Sequence, residues 1–175
     1  MAPTVEGRNE TETRAELIDP ALRLRGWLHE QGMIMREVSA GTIEIIAGKA
    51  RRRAQGRADY TLRVVIGNAG QPLALGLIEA KREGLHPGSG LQQGRGYAPA
   101  KRLNVPFVFA TNGHQFVEFD RFTGQTSQPR PMADFPTPAE LLQRYEAGMG
   151  FALTDAAAKP LLQPYPDGDD SRRYY

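Results

Sequence analysis

The sequence predicts an α/β protein with a central mixed sheet flanked by helices. Two apolar, β-branched runs within residues 56–81 flank a turn-rich middle, which is typical of an antiparallel strand pair. A helical segment precedes this pair, and a second helical segment leads from it to a dense apolar run suited to a buried strand. Helices placed between strands in this way favour helical layers packed on a sheet.

The composition is that of an ordinary globular domain. With 175 residues, 40% hydrophobic and 24% charged, the chain can bury one core and form one domain. No apolar run approaches the roughly 20 residues of a membrane span, and there is no cysteine for a disulfide or a thiolate metal site. These features are compatible with a cytoplasmic protein without membrane association. The net charge of +2 and the pI near 9.0 give a mild indication of polyanion binding.

The first helix is expected to follow a flexible leader. Thr11 or Thr13 is suited to cap it, because a hydroxyl can accept a hydrogen bond from a free N–H of the first turn. Asp19-Pro20 is expected to divide the helix, with Asp19 as a new cap and Pro20 at the first helical position. Gly32 is expected to end it.

Later segments complete the predicted sheet and its helices. A helix is expected over residues 91–103, although Gly94, Gly96 and Pro99 lower its propensity, so tertiary packing must hold it. Asn112-Gly113 is a strong signal for a hairpin turn. The other predicted elements are strands at residues 43–47, 105–110 and 114–120 and a helix at residues 139–146 started by Pro138.

A pair of carboxylates stands at the open end of the predicted strand pair. Asp59 opens the first strand and Glu79 closes the second, and their midpoint, residue 69, falls in the turn. Antiparallel pairing therefore sets the two residues opposite each other, with Cβ atoms about 4.5–5.5 Å apart. Alternation places Lys81 on the same face as Glu79. Two carboxylates that close repel each other unless a cation lies between them, and Mg²⁺ accepts such oxygen ligands.

The alternative is that Asp59 and Glu79 are solvated strand-end charges and that Lys81 is their salt-bridge partner. The symmetric placement, the one-residue spacing in Glu79-Ala80-Lys81 and the apolar strand before it favour a metal site. Because the three residues stand at strand ends and outside the apolar core, we expect their alanine variants to fold.

Basic residues lie just ahead of Asp59 and are suited to contact a phosphate backbone. The alternative is a solvated loop that is basic by accident. The five basic residues are Lys49, Arg51, Arg52, Arg53 and Arg57.

Two helical features could serve the same site. Gln93 and Tyr97 are four residues apart and share one helix face, either for ordinary packing or for function. Glu16 lies on the first helix, where a solvated charge is favoured over a role at the metal site.

Several of these motifs resemble known nucleases. Asp59 and Glu79-Ala80-Lys81 resemble the active-site motif of the PD-(D/E)xK superfamily, and Gln93 with Tyr97 resembles the QxxxY element of its RecB-like branch. In the family's order, further blocks are similar to the N-terminal nuclease domain of the restriction (R) subunit of type I restriction–modification enzymes. These blocks are Thr13-Arg14, Leu17-Ile18-Asp19-Pro20, Gly26-Trp27, Arg57-Ala58-Asp59-Tyr60, Pro106-Phe107-Val108-Phe109-Ala110-Thr111-Asn112-Gly113 and Phe135-Pro136-Thr137-Pro138.

This resemblance implies a restriction-endonuclease-like core and a Mg²⁺-dependent endonuclease that hydrolyses phosphodiester bonds of double-stranded DNA. Asp59, Glu79 and the main-chain carbonyl of Ala80 would hold the metal, and Lys81 would position the nucleophile or neutralise charge. A carboxylate of the first helix assists in part of the superfamily, which is the possible role of Glu16. Two features depart from the family pattern: the glycine-rich helix around Gln93 and the spacing at Gly26-Trp27.

The resemblance also implies a domain order and partners. Residues 1–10 would be a flexible leader, residues 11–147 the nuclease domain, and residues 148–175 a linker toward a translocase absent from this chain. ATP would be used by that translocase, and the partners would be DNA and the methylation and specificity subunits. Two alternatives stay open at this stage: a non-catalytic nuclease-fold module that binds DNA or a partner, and a stand-alone repair nuclease.

Overall fold

The structure, a computed structural model, describes residues 7–39, 42–46, 49–53, 56–67, 72–99 and 103–154. The strands are β1 (Ile34–Ser39), β2 (Thr42–Ile46), β3 (Lys49–Arg53), β4 (Arg57–Val64), β5 (Leu73–Ala80), β6 (Phe107–Thr111), β7 (Gln115–Asp120), β8 (Gln125–Thr126) and β9 (Arg130–Pro131). The central sheet is mixed and seven-stranded, in the order β1-β4-β5-β6-β7-β8 with β9 also paired to β7, and β2 and β3 form a separate antiparallel ribbon.

The predicted strand pair is formed by β4 and β5, which run antiparallel. Tyr60 pairs with Ile78, and this register, continued by one residue toward the open end, brings Asp59 opposite Glu79. A register shift between Leu62 and Arg63 confines the irregularity to the turn side of the pair. β5 and β6 are parallel, and the segment between them contains a helix. The predicted mixed sheet flanked by helices is therefore confirmed.

The helices are short and lie on both faces of the sheet. Alternate residues of β6 reach two different apolar clusters: Phe107 and Phe109 pack with the N-terminal and C-terminal helices, whereas Val108 and Ala110 pack with the helix after β5. The helical segments are α1 (Glu10–Thr13), a π-helical segment (Arg14–Ile18), α2 (Asp19–Leu24), α3 (Leu91–Tyr97) and α4 (Pro138–Met149). Among the described residues, no helix is long and apolar enough to cross a membrane.

The start of the first helix differs from the prediction. Asn9, and neither Thr11 nor Thr13, is the cap: its side chain accepts from the N–H of Glu12, whose own side chain accepts from the N–H of Asn9. A reciprocal pair of this kind satisfies two free N–H groups at once, which a single threonine cap does not.

The predicted break at Asp19 is also wrong. The backbone stays helical through the π-helical segment, in which the N–H of Asp19 donates to the carbonyl of Arg14. Pro20 lacks an N–H, and the wider π turn just before it lets the helix continue without that donor. The helix ends at Leu24 and not near Gly32, which instead ends a short 3₁₀ turn in the left-handed conformation.

Two later helices have different bounds from those predicted, and one further segment forms a strand where the alternative interpretation had a loop. α3 ends at Tyr97, short of the predicted residue 103, and Ala98 after it keeps a helical backbone and donates its N–H to the carbonyl of Gly94. α4 is longer than expected and runs to Met149, capped by Thr137 and ended by Gly150 in the left-handed conformation. The basic run after β2 is a strand, β3, and not a loop.

Candidate active site

The candidate site lies at the open end of β4 and β5. The side chain of Asp59 is fixed by the neighbouring strand β5, since its Oδ2 accepts a hydrogen bond of 2.7 Å from the N–H of Ala80. Its side chain is only 16% exposed. The first carboxylate is thus fixed by the neighbouring strand and keeps its second oxygen, Oδ1, for other partners.

Glu79 is more deeply buried than the sequence predicted. It is 1% exposed, which corrects the expectation that it stands outside the apolar core. Its Oε1 is buried and has no hydrogen-bond partner among the described residues. Burial, and after it the charge of Asp59, raises the pKa of Glu79 to about 8, against an opposing effect of Lys81. A buried carboxylate without a partner is costly unless a cation approaches it.

Two glycines explain this burial. A Cβ at Gly94 of α3 would lie 2.7 Å from Val108 Cγ1 and 3.1 Å from Glu79 Cγ, and one at Gly90 would lie 3.0 Å from Glu79 Cβ. Only glycine lets the turn before α3, and α3 itself, come this close. The glycines that weaken α3 as an isolated helix are therefore what place it against Glu79.

Lys81 follows β5 and is anchored by its main chain, whose N–H donates to the carbonyl of Thr111 at 2.8 Å. Its ammonium donates to Gln93 Oε1 at 3.3 Å, and Gln93 Nε2 donates to the hydroxyl of Tyr97 at 3.0 Å. The structure thus links both helix residues to Lys81. The Tyr97 ring also packs on Gly56, where a Cβ would lie 2.2 Å from its hydroxyl oxygen.

The donor atoms of this site fit a hard cation. In the described part of the chain, no group of three or more His, Cys, Asp and Glu side chains is arranged to hold a metal ion. Asp59 and Glu79 therefore offer two side-chain carboxylates, and further ligands must come from main-chain carbonyls such as that of Ala80, from water or from a substrate. Mg²⁺ is commonly bound in this way, by one or two carboxylates and substrate phosphates.

Sequence reasoning missed Arg14, which the N-terminal helix brings to the pair. Its NH1 lies 3.5 Å from Asp59 Oδ1 and its NH2 3.9 Å from Glu37 Oε1. The charge of Glu10 raises the pKa of Glu79, and that of Arg14 lowers it. Although Thr13-Arg14 resembles a family motif, the sequence did not indicate a contact between Arg14 and Asp59, because the two residues are 45 positions apart.

Glu16 has a different environment. Its Oε2 forms an ion pair of 2.7 Å with Arg8, and the side chain is exposed. Arg8 also binds Glu83 through its N–H at 3.0 Å, and the N–H of Glu83 donates to Thr13 Oγ1 at 3.0 Å. These contacts fasten the start of the N-terminal helix beside the end of β5. The sequence prediction assigned no role to Glu83.

The predicted basic cluster is only partly described. Residues Lys49 to Arg53 form strand β3, which pairs with β2. The structure describes the backbone of this strand, and the side chains of Arg52 and Arg53 lie outside the described part. Arg57 is exposed at the start of β4, and its NH1 lies 3.6 Å from Glu37 Oε2.

Comparisons with known proteins agree on one family. No family model matches the sequence. The chain is 35% identical over 173 residues to the endonuclease subunit of the type I restriction enzyme EcoAI from Escherichia coli, covering 95% of this chain and 20% of that protein. A solved fragment assigned to an HsdR subunit of a type I restriction enzyme from Vibrio vulnificus YJ016 matches with a TM-score of 0.67 and 32% identity, over 91% of this chain and 29% of that one. The chain thus spans about a fifth of the length of its curated relative.

Proposed function

Because this chain is a homologue of the endonuclease subunits of type I restriction enzymes, we propose that it is the part of such a subunit that cuts double-stranded DNA. The homology confirms the family resemblance found in the motifs. The proposed reaction is Mg²⁺-dependent hydrolysis of phosphodiester bonds.

One observation carries this proposal: the buried Glu79 has an unpartnered Oε1 and lies opposite Asp59. Proteins rarely bury an ionisable carboxylate without a partner unless the site serves a function. A structural role alone would be fulfilled by glutamine, without the cost of burying a charge. A divalent cation accounts both for the pair of carboxylates and for the missing partner.

Asp59 and Glu79, with the carbonyl of Ala80, would hold Mg²⁺. When bound, Mg²⁺ supplies Lewis acidity toward water and toward the phosphate. The hydrogen bond from the N–H of Ala80 fixes the Asp59 carboxylate, so this ligand needs little reordering when the cation binds.

Lys81 would act on the DNA phosphate. Its ammonium donates a hydrogen bond to the side-chain oxygen of Gln93. This contact positions Lys81 without neutralising its charge, because Gln93 is uncharged. A cation held in this way can neutralise the charge that develops on the phosphoryl oxygens. Gln93 and Tyr97 would then orient Lys81, which is a weaker role than binding the metal.

Several parts of the proposed function belong to other domains and subunits, and two belong to further segments of this chain. We place ATP use in a translocase elsewhere in the subunit and DNA recognition in the methylation and specificity subunits, all acting in the cytoplasm. Within the predicted linker of residues 148–175, the part that follows α4 would connect the nuclease domain to that translocase. Arg52, Arg53 and Arg57 would contact the DNA backbone.

The test is cleavage of plasmid DNA by the assembled enzyme with Mg²⁺ and ATP. Glu79→Ala, Asp59→Ala and Lys81→Ala should each reduce cleavage by at least about 100-fold, while ATP hydrolysis persists. Glu83→Ala is a matched control, since it removes a carboxylate of the same end of the sheet that binds Arg8 and not the pair. Cleavage at the wild-type rate by any of the three variants would show that the residue has no part in the reaction.

A further inference from the structure

Arg14 is directed at the oxygen of Asp59 that β5 leaves unoccupied. Oδ2 accepts from the N–H of Ala80, whereas Oδ1 faces Arg14 NH1 at 3.5 Å. The guanidinium also lies against the ring of Tyr60, with Cζ 5.3 Å from the ring centroid. Its side chain is 19% exposed, so one edge can still be reached from outside.

Arg14 and one of its two carboxylate partners lie in unusual backbone geometry. Arg14 begins the π-helical segment, and such segments are frequent at functional sites. Glu37, its second partner, has a φ of +53°, which is rare for a residue with a Cβ. Its neighbours in β1, Arg36 and Val38, pair with Tyr60 and Ala58 of β4, so Glu37 lies on β1 opposite Asp59 of β4. The chain thus gathers Arg14 and two carboxylates at a strained position.

The ion pair between Arg14 and Asp59 is loose. Its 3.5 Å separation is longer than the roughly 2.7–2.9 Å of a charge-assisted hydrogen bond. The guanidinium therefore keeps N–H donors for another acceptor, and its planar fork matches a phosphate. It also stands where a cation bound to Asp59 Oδ1 would be repelled by like charge.

We propose that Arg14 is a second cation of the site, which balances Asp59 before the metal binds and holds a phosphate of the DNA backbone afterwards. This inference rests on the proposed nuclease function and deepens it. Before metal binding, the charge of Arg14 balances that of Asp59. After metal binding, the divalent cation, Arg14 and Lys81 together outweigh the two carboxylates, and a DNA phosphate can compensate this net positive charge.

The proposal predicts opposite changes in two affinities. In Arg14→Gln, the dissociation constant for Mg²⁺ should fall by about three- to tenfold, because a repulsive charge is removed. The dissociation constant for a DNA duplex in Ca²⁺, with cleavage suppressed, should rise by about five- to tenfold, and the slope of log K against log salt should lose about one unit. Arg14→Lys should restore the Mg²⁺ affinity of the wild type and part of the DNA affinity.

The experiment uses the 175-residue chain, calorimetry with Mg²⁺, and fluorescence anisotropy with a labelled duplex. Arg23→Gln is the matched control: Arg23 also lies in the N-terminal helical region, but it forms an exposed ion pair with Glu30. It should change neither affinity. Unchanged affinities in Arg14→Gln, or a parallel loss of both, would overturn the proposal, the second outcome indicating a structural role.

A separate measurement keeps the two proposals distinct. Glu79→Gln should abolish Mg²⁺ binding to the same chain. If it does, the nuclease proposal stands whatever the Arg14 variants show. If Glu79→Gln binds Mg²⁺ as the wild type does, the metal site itself is wrong, and with it the role of Arg14.

Discussion

Two buried glutamates of the same sheet differ in whether their carboxylate oxygens have partners within the chain. Glu79 on β5 is 1% exposed and has an unpartnered Oε1. Glu118 on β7 is 4% exposed, yet both of its oxygens are paired: Oε2 with Arg130 at 2.8 Å and Oε1 with Arg144. The two arginines in turn lie over the rings of Phe116 and Phe107.

The difference is what the proposed function predicts for a structural carboxylate and for a metal ligand. Glu118 is neutralised within the chain, so its burial stabilises a particular packing of β7, β9 and α4. Glu79 has no such partner for its Oε1 among the described residues, and in the proposed site the metal takes that place. A cavity of about 560 Å³ adjoins Glu118, and neither Asp59 nor Glu79 lines it. A cavity beside a buried glutamate is therefore no sufficient sign of the proposed site, and the unsatisfied hydrogen bond of Glu79 is the observation that distinguishes it.

The largest expected effect tests which glutamate binds metal. Glu79→Gln should weaken Mg²⁺ binding by at least about 100-fold, since even residues that only support a metal ligand are worth about 10- to 100-fold. Glu118→Gln should leave it unchanged, because its oxygens already bind two guanidinium groups. Calorimetric titration of both variants decides this. A comparable loss in Glu118→Gln would end the distinction between the two residues.

The free energy of unfolding should change in the opposite sense: Glu118→Gln should destabilise the fold, and Glu79→Gln should stabilise it. Glu118→Gln should lower the free energy of unfolding by about 2–4 kcal/mol, below the full cost of a broken buried pair because Arg130 and Arg144 are partly exposed. Glu79→Gln, in metal-free buffer at pH 8, should raise it by about 1–2 kcal/mol, because a buried charge is removed. Urea unfolding of both variants measures these changes. A destabilised Glu79→Gln would mean that the carboxylate has a partner in the folded protein.

Part of this comparison could be read from the sequence. The pairing of Asp59 with Glu79 follows from the period of a strand and from a turn centred between them, which are local properties. The burial of Glu79 does not, because it depends on Gly90 and Gly94 of a later segment packing on β5. The role of Arg14 likewise depends on contacts across the chain.

The same limit explains the errors in the helices. Asn9 and Glu12 cap the first helix together, but any of several polar residues in residues 9–13 satisfied the pattern. The partners of Glu118 were equally hidden, since Arg130 and Arg144 follow it by 12 and 26 residues. Local pattern predicts which elements form, and tertiary contacts decide which charges are neutralised.

The dependence of stability on pH sharpens the comparison further. The pKa of Glu79 is raised from 4.5 to about 8 in the folded chain, so the folded state binds a proton that the unfolded state has lost. Stability from this group is complete below about pH 4.5 and is lost as the pH rises to about 8, at up to about 1.4 kcal/mol per pH unit.

Unfolding of the wild type and of Glu79→Gln between pH 5 and pH 8 measures this slope. The variant should lack it, and saturating Mg²⁺ should reduce it in the wild type, because the metal replaces the proton. Identical slopes in both proteins would show that Glu79 titrates as an ordinary exposed glutamate does.

The smallest expected effect concerns the helix that keeps Glu79 buried. A Cβ at Gly94 would meet Val108 at 2.7 Å, whereas one at Gly96 has nothing within 4 Å. Gly94→Ala should therefore lower the free energy of unfolding by about 1–2 kcal/mol, because the overpacking exceeds the gain in helix propensity. It should also lower the pKa of Glu79 toward its ordinary value, since α3 must move away and admit water.

Gly96→Ala, in the same helix and with the same change in composition, should raise stability by up to about 1 kcal/mol and leave the pH dependence unchanged. Thermal unfolding of the two variants at pH 5 and pH 8 measures both quantities. Equal behaviour would show that the burial of Glu79, and so its contrast with Glu118, does not depend on the close approach of α3.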